Sequence, residues 1–173
     1  QRNSFGLVLR VIPFEIPTVE KLGLPPIIDR VAQAREGLVL VTGATGFIGR
    51  WLLAELSARG KSVAALVRDA KSREAELRRF VDAHRGDGAR VTFVEGDIER
   101  EGLGLSEALP GVSVVYHLAA RFAFGLTPKE ARAANVDGTV NVVEFARALP
   151  GLRRFVFLGG YQMTVIDLDE VPV

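Results

Sequence analysis

The amino-acid sequence predicts an α/β fold in which helices cover both faces of a doubly wound parallel sheet. From residue 38 onward, short runs rich in Val, Leu and Ile alternate with longer stretches of helical periodicity. This alternation is typical of a parallel sheet. The chain has 173 residues, 48% of them hydrophobic, which is enough for one well-packed domain and too few for two. We therefore expect one domain with an N-terminal extension.

The predicted elements follow one another in regular order. The long helix has the clearest start, because Thr127 and Glu130 have capping-box spacing and Pro128 takes the first helical position. Gly138 weakens the middle of this helix without forbidding it. The sheet is expected to end after about five strands. Strands are expected at 38–42, 62–67, 90–95, 113–117 and 153–158, helices at 47–59, 72–84 and 128–149, and a short helical turn at 105–109.

Composition and charge exclude several kinds of partner and chemistry. The chain carries 22 Lys and Arg against 21 Asp and Glu, and the charges are interspersed, so we expect no nucleic-acid or membrane partner. Cysteine is absent, which excludes disulfides, thiolate catalysis and thiolate metal sites. No apolar run approaches the roughly 18 residues that cross a bilayer. We expect a cytoplasmic protein without a metal site.

A glycine-rich turn stands between the first strand and the first helix. Its glycines are Gly43, Gly46 and Gly49, and a helix N-terminus after such a turn favours a phosphate. A P-loop counted from Gly43 would need Gly, Lys and Ser or Thr where the chain has Ile48, Gly49 and Arg50. The spacing matches a dinucleotide turn, in which the glycines allow the tight turn, the approach of the pyrophosphate and close helix packing.

Four further motifs follow this turn in order along the chain. They are Leu-Val-Arg at 66–68, Gly-Asp-Ile at 96–98, His-Leu-Ala-Ala at 117–120 and Asn-Val-Asp-Gly-Thr at 135–139. With Val-Thr-Gly-Ala-Thr-Gly-Phe-Ile-Gly at 41–49, they make residues 38–164 resemble the extended short-chain dehydrogenase/reductases, which include epimerases, dehydratases and thioester reductases. The resemblance implies a Rossmann-type fold and an NAD(P)-binding domain at 38–173, C-terminally truncated.

The same resemblance implies how the phosphates of the cofactor are held. The glycine turn, with Thr45 and the backbone of Phe47 and Ile48, would hold the pyrophosphate. Arg68 ends the second strand 19 residues after Gly49. An acid at such a position bonds the ribose 2′-hydroxyl of NAD, whereas a cation suits the 2′-phosphate of NADP. We therefore expect NADP to be preferred, with NAD as the alternative.

The remaining contacts implied by the resemblance lie after the third and fourth strands. Asp97 and Ile98 would flank the adenine, and the small side chains of Ala119 and Ala120 would let the cofactor pass close to the backbone. Asn135 is expected to be structural, bonding backbone across the sheet. The predicted cofactor site comprises Gly43, Thr45, Gly46, Phe47, Ile48, Gly49, Arg68, Asp97, Ile98, Ala119 and Ala120.

The chain departs from the family in its catalytic residues. Reduction there uses Tyr-x-x-x-Lys, in which the Lys lowers the pKa of the tyrosine so that it can exchange a proton with the substrate. Tyr116 is followed four residues later by Ala120, and Tyr161 by Val165. The hydroxyl expected after the fifth strand is also missing, since residues 158–160 are Leu-Gly-Gly. We assign no catalytic residue and expect cofactor binding with little or no turnover.

Residues 1–37 show a different resemblance. The segments Ser-Phe-Gly-Leu-Val-Leu-Arg-Val-Ile-Pro at 4–13 and Ile-Pro-Thr-Val-Glu-Lys-Leu-Gly-Leu-Pro-Pro at 16–26 resemble the twitching-motility (retraction) ATPase of type IV pili. This resemblance continues to Gly46 and ends there, where the ATPase would continue with Ser-Gly-Lys-Ser. We therefore interpret the chain as chimeric or fragmentary. We expect residues 5–12 to form an edge strand or to be poorly ordered, and 25–34 to form an amphipathic helix.

Three functional classes follow from these observations. The favoured one is the NADP-binding domain of a reductase or epimerase, inactive by itself. The second is a fragment of a pilus retraction ATPase that has lost its P-loop. The third is a non-catalytic module that uses the dinucleotide as a redox or structural ligand. Substrate and oligomeric state are left open.

Overall fold

A computed structural model describes residues 37–106 and 108–159, which form a parallel sheet with helices on both faces. The strands are β1 (Leu38–Thr42), β2 (Val63–Val67), β3 (Val91–Glu95), β4 (Val112–His117) and β5 (Arg154–Phe157). The α-helices are α1 (Phe47–Ala58), α2 (Ala70–Ala83), α3 (Pro128–Arg132) and α4 (Gly138–Arg147), with 3₁₀ turns at Gly88–Arg90 and Glu101–Gly104 and a π-helical turn at Ala133–Asp137.

The strands lie in the order β3-β2-β1-β4-β5, and every neighbouring pair is parallel. From β1, the central strand, the described part of the chain moves to one edge through β2 and β3 and then crosses to the other side of β1. Ligands of open α/β sheets bind at the carboxyl ends of the strands where the order reverses in this way, here between β1 and β4. The predicted Rossmann-type, doubly wound parallel sheet is confirmed.

The core has two layers, one on each face of the sheet. Alternate residues of a strand point to opposite faces, so Val39 and Val41 pack under α1 and α2 while Leu40 packs under α4. The five residues of β2 are all buried, as expected for a strand covered on both faces. In both layers the helices pack against the faces of the sheet, and the carboxyl edge of the sheet stays open for a site.

The predicted strands agree with the structure to within one residue at each end, but the predicted helical turn at 105–109 is wrong. The turn occurs at Glu101–Gly104, where Gly102, Leu103 and Gly104 all have positive φ near 60°. This early reversal buries Leu103 completely and lets its carbonyl accept a hydrogen bond from the Asp97 N–H at 2.8 Å. The chain therefore turns where the side chain of Leu103 enters the core layer that also contains Leu40 and Val115.

The predicted helix at 128–149 starts as expected and is interrupted in the middle. Thr127 and Glu130 form the capping box, and Pro128 is the first helical residue. A π-helical turn follows at Ala133–Asp137, and the Gly138 N–H donates to the carbonyl of Ala133, five residues back. The continuous α-helix is thus corrected to two α-helical segments separated by one wider turn.

Several predictions lie outside the described residues. They are the strand at 5–12, the helix at 25–34, the pilus-ATPase resemblance before residue 37, and Tyr161. Within the described ranges, no helix combines the length and apolarity needed to cross a membrane.

Candidate dinucleotide site

A cleft of about 220 Å³ opens at the carboxyl edge of the sheet. Its walls come from the last residues of β1 and β2, from the loops that follow β1, β2, β3 and β4, and from one residue of the π-helical turn. Eight of the predicted site residues line this cleft. They are Gly43, Thr45, Gly46, Arg68, Asp97, Ile98, Ala119 and Ala120.

The glycine turn packs directly against the loop after β4. Gly43 has φ of +70°, and a Cβ there would lie 2.7 Å from the Ala119 nitrogen, so only glycine fits both the conformation and the space. Gly49 is buried outside the cleft, and a Cβ there would collide with the carbonyl oxygen of Gly43. The first glycine shapes the turn and the third brings α1 close to β1.

The N-terminus of α1 faces the cleft through its backbone. Gly46 is the N-cap residue and provides no side-chain cap. Within the described ranges, no group accepts a hydrogen bond from the N–H groups of Phe47 and Ile48. Their side chains are 71% and 51% exposed and do not line the cleft. Any contact of these two residues with an anion is therefore made by backbone, where the helix dipole is positive.

Arg68 stands at the carboxyl end of β2 with an exposed side chain on the cleft wall. No side chain in the described parts of the chain forms a hydrogen bond or ion pair with it. The adjacent Asp69 is the N-cap of α2 and accepts the Ser72 N–H at 3.2 Å. Hydrogen bonds from Ser72 lower the pKa of this carboxyl. The acid beside Arg68 thus caps a helix, and the cation is the group presented to the cleft.

Asp97 and Ile98 form the wall after β3. The Asp97 carboxylate accepts the Glu99 N–H at 3.0 Å, which closes a tight turn. The carbonyl of Ile98 accepts the side-chain amide of Asn141 on α4 at 2.8 Å. Both residues are half-buried, and these bonds hold them at the cleft by their own turn and by the opposite helix layer.

A buried imidazole lies beneath the loop after β4. His117 is fully buried, with Nδ1 2.7 Å from the Thr42 hydroxyl oxygen and Nε2 3.0 Å from that of Thr139. The Thr42 hydroxyl also accepts the Ala119 N–H at 3.3 Å. Burial lowers the pKa of His117, so the neutral imidazole is favoured. The structure thus shows His117 as a packed and hydrogen-bonded side chain.

Asn135 fixes the next part of the same loop. Its side-chain oxygen accepts the Arg121 N–H at 2.7 Å, and its side-chain nitrogen donates to the Arg121 carbonyl at 2.9 Å. This paired contact is the backbone-bonding role expected of Asn135. It holds Arg121 on the wall of the cleft.

Sequence reasoning missed half of the cleft wall. Glu99 and Arg121 lie on loops whose course depends on tertiary contacts, and Ala134 reaches the cleft from the π-helical turn. Tyr116 is half-buried and packs against the core layer under α1 and α2, and this packing accounts for its position. The lining residues not predicted are Thr42, Leu66, Val67, Gly96, Glu99, Leu118, Arg121 and Ala134.

The reversed strand order and the glycine turn at the start of α1 define a Rossmann-type nucleotide-binding fold. A family model for NAD-binding domains, described as "Male sterility protein", matches residues 41–166. The chain belongs to this NAD(P)-binding family, within the extended epimerase and reductase group.

Named relatives share this part of the chain. Dihydroflavonol 4-reductase of Zea mays is 32% identical over 148 residues, which cover 84% of this chain and 41% of the relative. Aldehyde reductase 2 of Sporidiobolus salmonicolor is 33% identical over 144 residues, covering 83% and 41%. The crystal structure of Gre2 from Candida albicans in complex with NADPH superimposes with a TM-score of 0.60 at 26% identity, covering 72% of this chain and 37% of that one. The chain thus spans about two-fifths of the length of these relatives.

Proposed function

We propose that residues 38–173 form the cofactor-binding domain of an oxidoreductase or epimerase and that NADP is the preferred dinucleotide. One observation carries the cofactor preference: Arg68 presents to the cleft a cation that has no partner among the described residues, while the neighbouring Asp69 caps α2. A cation at the end of the second strand accommodates a 2′-phosphate. The structure of Gre2, a family relative by fold, was solved with NADPH and supports this preference.

The other predicted residues are assigned by their positions in the cleft. Gly43, Gly46 and the first N–H groups of α1 would hold the pyrophosphate, because the N–H groups of Phe47 and Ile48 have no acceptor among the described residues and lie at the positive end of the helix dipole. Asp97 and Ile98 would flank the adenine. Ala119 and Ala120, on the loop after β4, would lie beside the part of the cofactor that passes close to this backbone. Bound there, the nicotinamide dinucleotide supplies hydride transfer.

Titration of the full chain with NADPH, NADH and ATP tests this proposal. We expect NADPH to bind more tightly than NADH, and ATP to bind weakly or not at all. Equal affinity for NADPH and NADH would contradict the preference for NADP. Tight ATP binding without dinucleotide binding would contradict the whole proposal and favour the ATPase alternative.

Two finer proposals accompany this function. We propose that the chain by itself turns over little or no substrate, because neither tyrosine is followed by the Lys that activates it. Detectable hydride transfer by the purified chain would overturn this proposal. It would also exclude the non-catalytic module.

We also propose that residues 1–46 derive from a pilus retraction ATPase and that the chain is chimeric. Genomic reads crossing residues 37–50 test that origin.

A further inference from the structure

We propose that His117 is a positioning residue that holds the cleft segment 119–121 from both ends, through Thr42 on one side and Thr139 on the other. This inference rests on the proposed cofactor site, because the segment it positions lines that cleft.

The hydroxyl of Thr139 determines the proton on Nε2. This hydroxyl donates to the carbonyl of Asn135 at 2.8 Å, so its single proton is already used. It can only accept from His117 Nε2, 3.0 Å away, and Nε2 must therefore carry a proton. A neutral imidazole then has a bare Nδ1.

The hydroxyl of Thr42 completes the assignment on the other side. It accepts the Ala119 N–H at 3.3 Å and donates its own proton to the bare Nδ1, 2.7 Å away. Each group in the chain from Ala119 to Asn135 therefore donates to the next one. No alternative direction satisfies every member, because reversing one bond leaves two donors or two acceptors facing each other.

Both ends of this chain of hydrogen bonds lead to the segment 119–121, one directly and the other through the side chain of Asn135. The series of bonds begins at the Ala119 N–H and ends at the Asn135 carbonyl, while the Asn135 side chain holds both backbone groups of Arg121. The imidazole itself is fixed by burial and by the rings of Phe155 and Phe157, with centroids 6.5 and 5.7 Å away. Loss of the hydroxyl of either Thr42 or Thr139 should therefore loosen the backbone at both Ala119 and Arg121.

Nitrogen NMR of the full chain labelled with ¹⁵N-histidine tests the tautomer directly. The chain has two histidines, and His84 provides a contrast, because its Nδ1 lies 2.7 Å from the Phe80 carbonyl and must carry the proton there. We expect a protonated Nε2 for His117 and a protonated Nδ1 for His84, with His84→Gln assigning the signals. A protonated Nδ1 on His117 would overturn the proposal.

Isosteric variants test the positioning role. We expect Thr42→Val to raise the Kd for NADPH about tenfold, because it leaves the Ala119 N–H and Nδ1 unpaired, and to speed amide exchange at both Ala119 and Arg121. Thr42→Ser keeps the hydroxyl and should restore both properties. Val39→Ala, a core change on the same strand, should lower the Tm. It should change neither the Kd for NADPH nor the amide exchange at Ala119 and Arg121.

Thr139→Val provides a second route on the partly exposed helix, should the strand variant fail to fold. We expect it to speed exchange at Ala119 as well as at Arg121. Exchange that changes only beside the substituted residue would overturn the proposal. If the wild-type chain fails to bind NADPH, the proposed function fails, while the tautomer and the exchange pattern still decide the role of His117.

Discussion

At the scale of single residues, the proposed choice between NADP and NAD rests on Arg68. Its side chain is exposed on the cleft wall and has no ion-pair partner within the described residues. A phosphate contact made by such a cation is a charge-assisted hydrogen bond, stronger than a neutral one. We therefore expect Arg68 to strengthen the binding of NADPH and to leave the binding of NADH almost unchanged.

We expect Arg68→Ala to weaken NADPH binding about tenfold, since the 2′-phosphate loses a charged partner, and to leave NADH binding unchanged. Arg79→Ala is the matched control, because Arg79 is exposed on α2 and bonds only the carbonyl of Ala75 among the described residues. Fluorescence titration with both cofactors measures the effect. A parallel loss of NADH affinity would place Arg68 at another part of the cofactor.

His117 makes stability depend on pH in a defined direction. Burial lowers its pKa below the usual 6.5, so the unfolded chain takes up this proton first as the pH falls. The free energy of unfolding should therefore decrease as the pH falls below about 6.5. Urea unfolding at several pH values measures this. We expect His117→Gln to flatten the decrease and His84→Gln to retain it; no difference between them would contradict the assignment.

At the scale of elements, the strands and the glycine turn were predictable because their signals are local. Apolar runs determine β1 to β5, and glycine spacing determines the turn. The turn at Glu101–Gly104 and the π-helical turn were not predictable, because burial of Leu103 and the contacts of Asn135 involve residues distant in sequence. The cleft residues Glu99 and Arg121 were missed for the same reason.

Gly49→Ala tests the close approach of α1 to the glycine turn. The added methyl would collide with the backbone of Gly43, and we expect a loss of about 1–3 kcal/mol in the free energy of unfolding together with weaker cofactor binding. Gly151→Ala is the control, because a Cβ there meets nothing closer than the Val112 carbonyl at 3.9 Å. Chemical denaturation of both variants gives the comparison. An equal loss of unfolding free energy in both variants would show that the close contact between Gly49 and Gly43 does not limit the side chain at position 49.

At the scale of the whole molecule, one sheet brings together four loops that are distant in sequence. The residues that line the cleft run from Thr42 to Ala134, so we expect a ligand that fills the cleft to contact the ends of four strands at once. Binding to the folded chain alone must stabilise all of them together.

We therefore expect NADPH at about a hundredfold excess over its Kd to add about 2.7 kcal/mol to stability, which corresponds to a rise in Tm of about 5–10 °C for a chain of this size. Thermal melts with and without NADPH measure the shift. A similar shift with ATP would indicate that phosphate alone is recognised. An unchanged Tm would contradict binding at this cleft.

The π-helical turn also makes chain length, and not only residue identity, a requirement of the site. Each α-helical residue advances the chain by about 100°, and the wider turn takes up one residue more than an α-helical turn, so that α3 and α4 keep their relative phase. Closing this turn into a regular α-helix at unchanged chain length would rotate α3 by about 100° relative to α4. Ala134, which lines the cleft, and Asn135, which bonds Arg121, both lie within the turn, so a change in its length would alter the segment that carries them even if every other residue stayed the same.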